Sequence, residues 1–364
     1  MAKRNPPATG DRGEAPDLPE IAVLRDAYVA GQAPSVNPDE RLWQGGGLYD
    51  AEGRAAEAVA GMMGPPGRLP GGRRRRAGAL EAALFCGRFR AHFGHLLAEG
   101  IGRIWAVERL GPDLPLLWFA HPKDAASNRR LLRTFLSLIS VRNPVIVAEE
   151  ALRVGTLHVP PTLCDPLFGV PADPALQDWL ANRLPPPAEG APDLYLSRVR
   201  LEDRAGRFLG EEAIEAGLAA EGYWVVYPET LPLEEQVALY RSARRIVLAE
   251  GSPLHLLALL DVPGQEVAML RRRPRVVRSM PATFASFRRA RVHAIDHVLR
   301  CWSDSASPRR LFRSVSELDL GAVWDDLAAL GFTGPGARPV PDAEALAAER
   351  LRRAPDRQVL LPLP

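Results

Sequence analysis

The sequence predicts an α/β protein of two domains, the second of them Rossmann-like. Three observations carry this. From residue 193 to 270, apolar strands alternate with helices of about ten residues, the pattern of a parallel sheet with right-handed crossovers. Residues 185–192 are rich in proline and read as a stiff linker. The length of 364 residues accommodates two domains at the usual ~150 residues each.

The elements of the second domain follow in order. Residues 193–200 form a strand that ends in Arg198 and Arg200, and 210–220 an amphipathic helix. A strand at 223–228 precedes a helix at 232–243, where Leu231, Leu233, Val237 and Tyr240 are spaced for one face. A strand at 245–249 opens the most informative stretch of the chain, 246–260, and a strand at 265–270 follows it. There an apolar strand enters a short turn, Glu250, Gly251 and Ser252, and leaves as a helix. Gly251 permits a sharp turn, Ser252 is a favoured N-cap, and Pro253 suits the first helical position. Such a helix start attracts anions, and in an open α/β sheet it lies at the carboxyl edge where ligands bind. A Gly-x-Gly-x-x-Gly turn is lacking, which counts against a dinucleotide cofactor.

The first domain, 19–184, reads as strands at 114–120 and 144–148, a helical stretch at 80–110 broken near 88–93, and a helix at 128–139. Residues 1–18 are polar, rich in Pro and Gly, and expected to be disordered. The second domain spans 193–300. The tail, 301–364, carries helices at 318–330 and 342–353 and is expected to pack back on the first domain.

Composition narrows the function classes. Hydrophobic content of 46% and charged content of 25% are ordinary for a soluble globular protein. A net charge of +2 does not mark a nucleic-acid binder. Cys86, Cys164 and Cys301 lie far apart, with neither metal-ligand spacing nor a disulfide framework. No apolar run reaches the roughly 18 residues needed to span a bilayer, and no signal peptide opens the chain, so a cytoplasmic location is expected. Arginine runs at 73–76 and 271–275 read as solvated loops or as attractors of anionic lipid or glycan. Trp43, Trp118, Trp179 and Trp324 read as packing residues, and His293 and His297 as structural histidines without an acid partner.

One cluster stands out in the first domain. His92, His95 and Glu99 are spaced to share one face of a helix. Three readings are open: a pair of satisfied histidines at a helix start, a His-His-Glu metal site, or a general base able to take a proton from a sugar hydroxyl.

Several motifs in order resemble glycosyltransferase family 61. Gly94, His95, Leu96, Leu97 and Glu99, followed by Arg103 and Trp105, are similar to its Gly-His-Phe-Leu-x-Glu segment. Tyr195, Leu196, Ser197 and Arg198 match its Tyr-Ile-Ser-Arg strand. Arg207 to Glu212 resembles its Arg-Arg-x-x-Asn-Glu, with Gly210 in place of Asn. Gly222 to Glu229 and Leu233 to Gln236 resemble its Gly-Phe-x-Val-x-Pro-Glu and Ser-x-x-Glu-Gln. Gly251, Ser252, Pro253, Leu254 and His255 resemble its Gly-Ser-Ala-Leu-His turn, with Pro253 in place of Ala.

The resemblance implies a GT-B-like fold, two Rossmann-like domains facing across a cleft. It implies an inverting, metal-independent transfer from a nucleotide sugar, taken as uridine-diphosphate-linked, to a glycan or lipid-linked glycan acceptor in surface polysaccharide synthesis. No cofactor and no nucleic acid are implied, and a peripheral position at the inner membrane face is compatible. Glu99 or His95 is expected as the base, with Glu99 preferred. Arg198, Gln236, Glu250, Gly251, Ser252 and His255 are expected at the donor. The alternatives are a non-catalytic relative that binds nucleotide or glycan, and a metal-dependent hydrolase using His92, His95 and Glu99.

Overall fold

The computed structural model describes residues 18–31, 46–56, 68–120, 129–187, 190, 192–202, 205–303, 313–334, 338–353 and 359–361. Nearly all of the predicted N-terminal segment, Trp43 and part of the linker lie outside these residues. The first half contains β1 (Ala22–Ala30), β2 (Gly47–Tyr49), β3 (Gly78–Phe89), β4 (Leu116–Ala120), β5 (Val145–Ala148) and β6 (Ala151–Val159). They form one six-stranded mixed sheet in the order β2-β1-β6-β3-β4-β5. The second half and tail contain β7 (Leu194–Leu196), β8 (Arg207–Phe208), β9 (Trp224–Val226), β10 (Arg245–Ala249), β11 (Glu266–Leu270), β12 (Arg291–Ile295), β13 (Val298–Ser303), β14 (Val315–Leu318) and β15 (Val359–Leu360).

The second large sheet runs β12-β11-β10-β7-β9, and every pair in it is parallel. Counted along the chain within this sheet, that is the doubly wound order 2-1-3-4-5, whose switch point lies between its first and third strands, here β7 and β10. Its strands are buried on both faces. Ile246 and Leu248 of β10 point into one apolar cluster and Val247 and Ala249 into another, as the two-residue strand period requires. A four-stranded sheet, β15-β13-β14-β8, completes the fold.

The 80–110 segment differs from its helical expectation. Its first part is β3, which lies between β4 and β6 and pairs parallel with both. Ala, Leu and Glu give this stretch a helical local preference. Burial on both faces of a central strand overrides it, since Ala83, Leu84, Phe85 and Cys86 are all buried. Only after β3 does the chain coil, through one α-turn at Phe93–His95 and a π-turn at Leu96–Gly100.

The two halves share one continuous apolar core that includes Trp105, Trp118 and Trp179 from the first and Leu254, Leu257 and Met269 from the second. Helix Pro174–Ala181 packs on helix Pro253–Leu260, and Gln177 joins them by donating to Ala258 O at 2.7 Å and Ser286 O at 2.8 Å. Among the described residues no helix is long and apolar enough to cross a membrane.

The tail packs on the second half, not the first. Leu320 and Leu346 crowd Gly210, β14 pairs with β8, and Phe332 joins the outer core of the parallel sheet. Gly210 has a positive φ of 77°, and Glu349 of the tail helix Ala343–Arg353 accepts its N–H at 2.8 Å. Asn tolerates this backbone region, but a Cβ here would lie 2.6 Å from Leu320 Cδ1. The tail thus fills the space a side chain would need. Gly210→Ala is expected to destabilise the protein by about 1–3 kcal/mol through backbone strain and crowding. A thermal melt shows it as a lower Tm, and an unchanged Tm contradicts this packing.

Candidate active site

Two groups of residues meet where the halves touch. The first is built on the turn after β3. Glu99 is buried, and its two carboxylate oxygens are bound by the Arg88 guanidinium and by His95 Nδ1. Arg88 comes from the end of β3, and His95 and Glu99 lie four residues apart on the irregular helical turn. Burial pushes the Glu99 carboxyl up, but the hydrogen bond from His95 and the charge of Arg88 outweigh it and hold the group below the usual range. With Nδ1 turned to Glu99, the His95 ring keeps Nε2 for another partner. The His95 side chain is 34% exposed against 3% for Glu99. The ring of His92 meets that of His95 edge-on at 5.3 Å.

The second group lies at the carboxyl edge of the parallel sheet. Arg198 follows β7, Glu250 and Gly251 follow β10, and Arg272 and Arg273 follow β11. Arg198 donates to Gly206 O from Nε at 3.1 Å and from Nη2 at 2.8 Å. Its Nη1 would be 3.0 Å from a Cβ on Gly251. Gly251 therefore serves the approach of Arg198; its φ is not positive. Glu211 fixes the Arg198 backbone by accepting its N–H at 2.7 Å and the Tyr195 hydroxyl at 3.2 Å.

Glu250 is buried, with Arg273 Nη1 at 3.4 Å from one oxygen and the Arg272 N–H at 3.3 Å from the other. Arg272 is buried too and donates Nε to Glu250 O at 2.9 Å, while its Nη1 has no hydrogen-bond partner among the described residues. Burial, and then the charges of Arg198 and Arg273, push the Arg272 guanidinium well below its ordinary value. Three guanidiniums thus crowd the switch point with Glu250 and Glu211 as nearby counter-charges.

Gly94 joins the groups. A Cβ on it would lie 2.7 Å from Ser252 Oγ and 3.6 Å from His255 Cδ2. Only a glycine lets the His95 turn sit this close to the start of helix Pro253–Leu260. Ser252 makes no side-chain cap and is already helical in backbone, contrary to its expected capping role. His255 faces Thr283 Oγ1 from Nδ1 at 3.2 Å. Burial, and then the positive surroundings of His95, Arg273 and His92, lower its pKa to about 4.

The expected residues are thus partly brought together. His95, Glu99, Ser252 and His255 converge, and Arg198, Glu250 and Gly251 form the adjoining edge. Gln236 acts one step away: its amide donates to Pro228 O at 2.7 Å and Leu231 O at 3.0 Å, pinning the loop after β9. Among the described residues no three His, Cys, Asp or Glu side chains group as a metal site. In the His92-His95-Glu99 set, Glu99 has both oxygens engaged.

The sequence reading missed Arg88, Arg272 and Arg273. The run at 271–275 reads in the sequence as a solvated loop or an attractor of anionic lipid or glycan, yet it begins directly after a buried strand at the ligand edge, as Arg198 and Glu250 do. The other run is also engaged, with Arg73 and Arg74 donating to Gly31 O at 2.9 Å and Glu52 O at 2.6 Å. His293 and His297 do have acid partners, Glu266 at 2.9 Å and Asp326 at 2.7 Å. Trp118, Trp179 and Trp324 are buried packing residues, and all three cysteines are buried and free.

Residues 93–263 match the family model described as Glycosyltransferase 61. This segment is similar to the glycosyltransferase 61 family. It runs from the residue before Gly94 through helix Pro253–Leu260, and so takes in both halves of the contact at Gly94. Arg88, Arg272 and Arg273 lie outside it. No curated protein matches the chain.

His255 carries a pH consequence. Its folded value of about 4 lies below the ordinary 6.5, so the stability it contributes is full above 6.5 and is lost as pH falls through 4. His255→Gln is expected to flatten that part of the acid decline in Tm. Parallel Tm profiles for the two proteins contradict a neutral, buried His255.

Proposed function

We propose that the protein transfers a sugar from a nucleotide-sugar donor to a hydroxyl of a glycan or lipid-linked glycan, with inversion and without a metal. The reading rests on one observation: the His95–Glu99 pair meets the arginine-rich strand edge at Gly94 and Ser252. His95 is the base in this reading, and Glu99 positions it. Glu99 is buried and already committed to Arg88 and His95, which favours the imidazole over the carboxylate as proton acceptor.

The steps follow from the groups present. His95 Nε2 takes the proton of the acceptor hydroxyl as its oxygen bonds to the anomeric carbon. The bond from that carbon to the diphosphate breaks, and its electron pair leaves with the diphosphate. Arg198, Arg272 and Arg273 hold the charge that develops there. Their crowding without an anion is costly, and a diphosphate relieves it. The doubly wound second half would hold the donor and the first half the acceptor, in the manner of a GT-B enzyme. A uridine nucleotide and a site at the inner membrane face fit this reading.

Calorimetry with uridine diphosphate tests the anion edge. Arg198→Ala and Arg273→Ala should each weaken binding by about 1.5–3 kcal/mol, as for a lost charged hydrogen bond. Unchanged affinity removes these residues from the site. Turnover tests the base. His95→Gln should lower kcat by on the order of 10²–10⁴-fold with donor binding nearly intact, and activity should survive a chelator. Loss in chelator restored by zinc or manganese favours a metal mechanism. Tight nucleotide binding with no turnover of any sugar donor favours a binding protein.

A further inference from the structure

His255 sits in the contact at Gly94, and its two ring nitrogens differ. Nδ1 lies 3.2 Å from Thr283 Oγ1. The Thr283 hydroxyl has one proton, which it donates to Ser279 O at 2.8 Å. Toward His255 the oxygen therefore accepts, and the hydrogen belongs to Nδ1. A neutral imidazole has one donor and one acceptor nitrogen, so Nε2 is left with its lone pair. Among the described residues no group donates to Nε2.

Thr283 is held firmly enough to impose this. It is buried on the helix Met280–Ala285. Ser286, which ends that helix, is tied to the first half of the molecule. Its Oγ accepts the Ala172 N–H at 2.8 Å, and its carbonyl accepts the Gln177 amide at 2.8 Å. The position of Nε2 follows from the carbon bonded to it. His255 Cδ2 and Ser252 Oγ both border the point a Cβ on Gly94 would take, at 3.6 Å and 2.7 Å. The lone pair therefore lies at the rim of the contact between the halves, beside a serine hydroxyl that is not spent on capping its helix. Burial, and then the positive surroundings of His95, Arg273 and His92, keep the ring neutral.

A bare ring nitrogen does not bind a phosphate oxygen, because both are acceptors. It accepts from a hydroxyl. We propose that His255 Nε2 accepts a hydroxyl of the donor's sugar, and that Thr283 is the positioning residue that reserves this nitrogen for it. The work is then divided along the edge of the sheet. Arg198, Arg272 and Arg273 meet the diphosphate, and His255 meets the sugar. A donor whose sugar lacks that hydroxyl leaves the lone pair unmatched in a desolvated site and is rejected. The identity of the ligand group rests on the nucleotide-sugar reading above. The tautomer of His255 does not.

Nitrogen NMR of the full chain with labelled histidine tests both parts, and His255→Gln identifies the His255 signals by their loss. In the ligand-free wild type at neutral pH, Nδ1 should be protonated and Nε2 bare. Thr283→Ser keeps the hydroxyl and should keep this tautomer, while Thr283→Val should move the hydrogen to Nε2. The wild-type spectrum decides the tautomer if Thr283→Val does not fold. Uridine diphosphate and a panel of uridine-diphosphate hexoses, hexosamines and pentoses are then titrated in. A sugar donor that binds should shift the Nε2 signal, and uridine diphosphate alone should not. By calorimetry Thr283→Val should weaken that sugar donor roughly 5–20-fold and leave uridine diphosphate nearly unchanged, with Thr283→Ser close to wild type. The proposal is overturned by a protonated Nε2 in the wild type, by a tautomer that Thr283→Val leaves in place, or by an Nε2 signal that moves equally with uridine diphosphate. If no nucleotide sugar binds, the transferase reading fails and takes the hydroxyl assignment with it. A protein that binds them with the wrong tautomer loses this assignment alone.

Discussion

The contact of Gly94 with Ser252 is the constraint on which the site depends. Each half alone offers an incomplete set: a buried carboxylate and imidazole on one side, a ring of guanidiniums on the other. The absence of a Cβ at Gly94 brings the backbone of one against the first turn of a helix in the other. The shared apolar core and the Gln177 bridge hold that approach in place. The charge arrangement follows from it. His255 is neutral because burial and the cationic groups around it both oppose its protonation.

Buried charge is the second theme. Arg88 and Arg272 are both nearly inaccessible: the Arg88 guanidinium pairs with the Glu99 carboxylate, and Arg272 donates its backbone N–H to the Glu250 carboxylate and its Nε to the Glu250 carbonyl. A buried ion pair such as Arg88–Glu99 contributes little net stability after desolvation, and a buried guanidinium without a carboxylate partner contributes none. Their placement makes sense as preorganisation: the Arg88 pair fixes the orientation of His95 through Glu99, and the Arg272 group holds positive charge at the switch point. Gly210 and the tail act further back. They support the helix Glu211–Ala220, whose first residue anchors the Arg198 backbone.

The parallel sheet of the second half was legible because its strands are short apolar runs bounded by glycine, proline and cap residues. The switch-point residues were legible because they follow those strands directly. The same rule applied to β11 would have found Arg272 and Arg273, which were discounted for belonging to an arginine run. β3 was not legible: its Ala, Leu and Glu content favours a helix, and only pairing with β4 and β6 makes it a strand. Strand β1, the edge strand β2 and the small β13–β14 sheet left no comparable signal. The nearness of His95 and Glu99 was legible from their spacing, but the full engagement of the Glu99 carboxylate was not. That depends on Arg88, eleven residues before Glu99 and on a different element. The Gly94 contact joins residues far apart in the chain, and no local pattern reports it.

The most direct test of the account is a crystal structure of the protein with a bound uridine-diphosphate sugar. The account places the diphosphate among Arg198, Arg272 and Arg273, with the anomeric carbon turned toward His95 Nε2 across the Gly94 contact. A diphosphate bound away from these arginines, or an anomeric carbon facing away from His95, contradicts it.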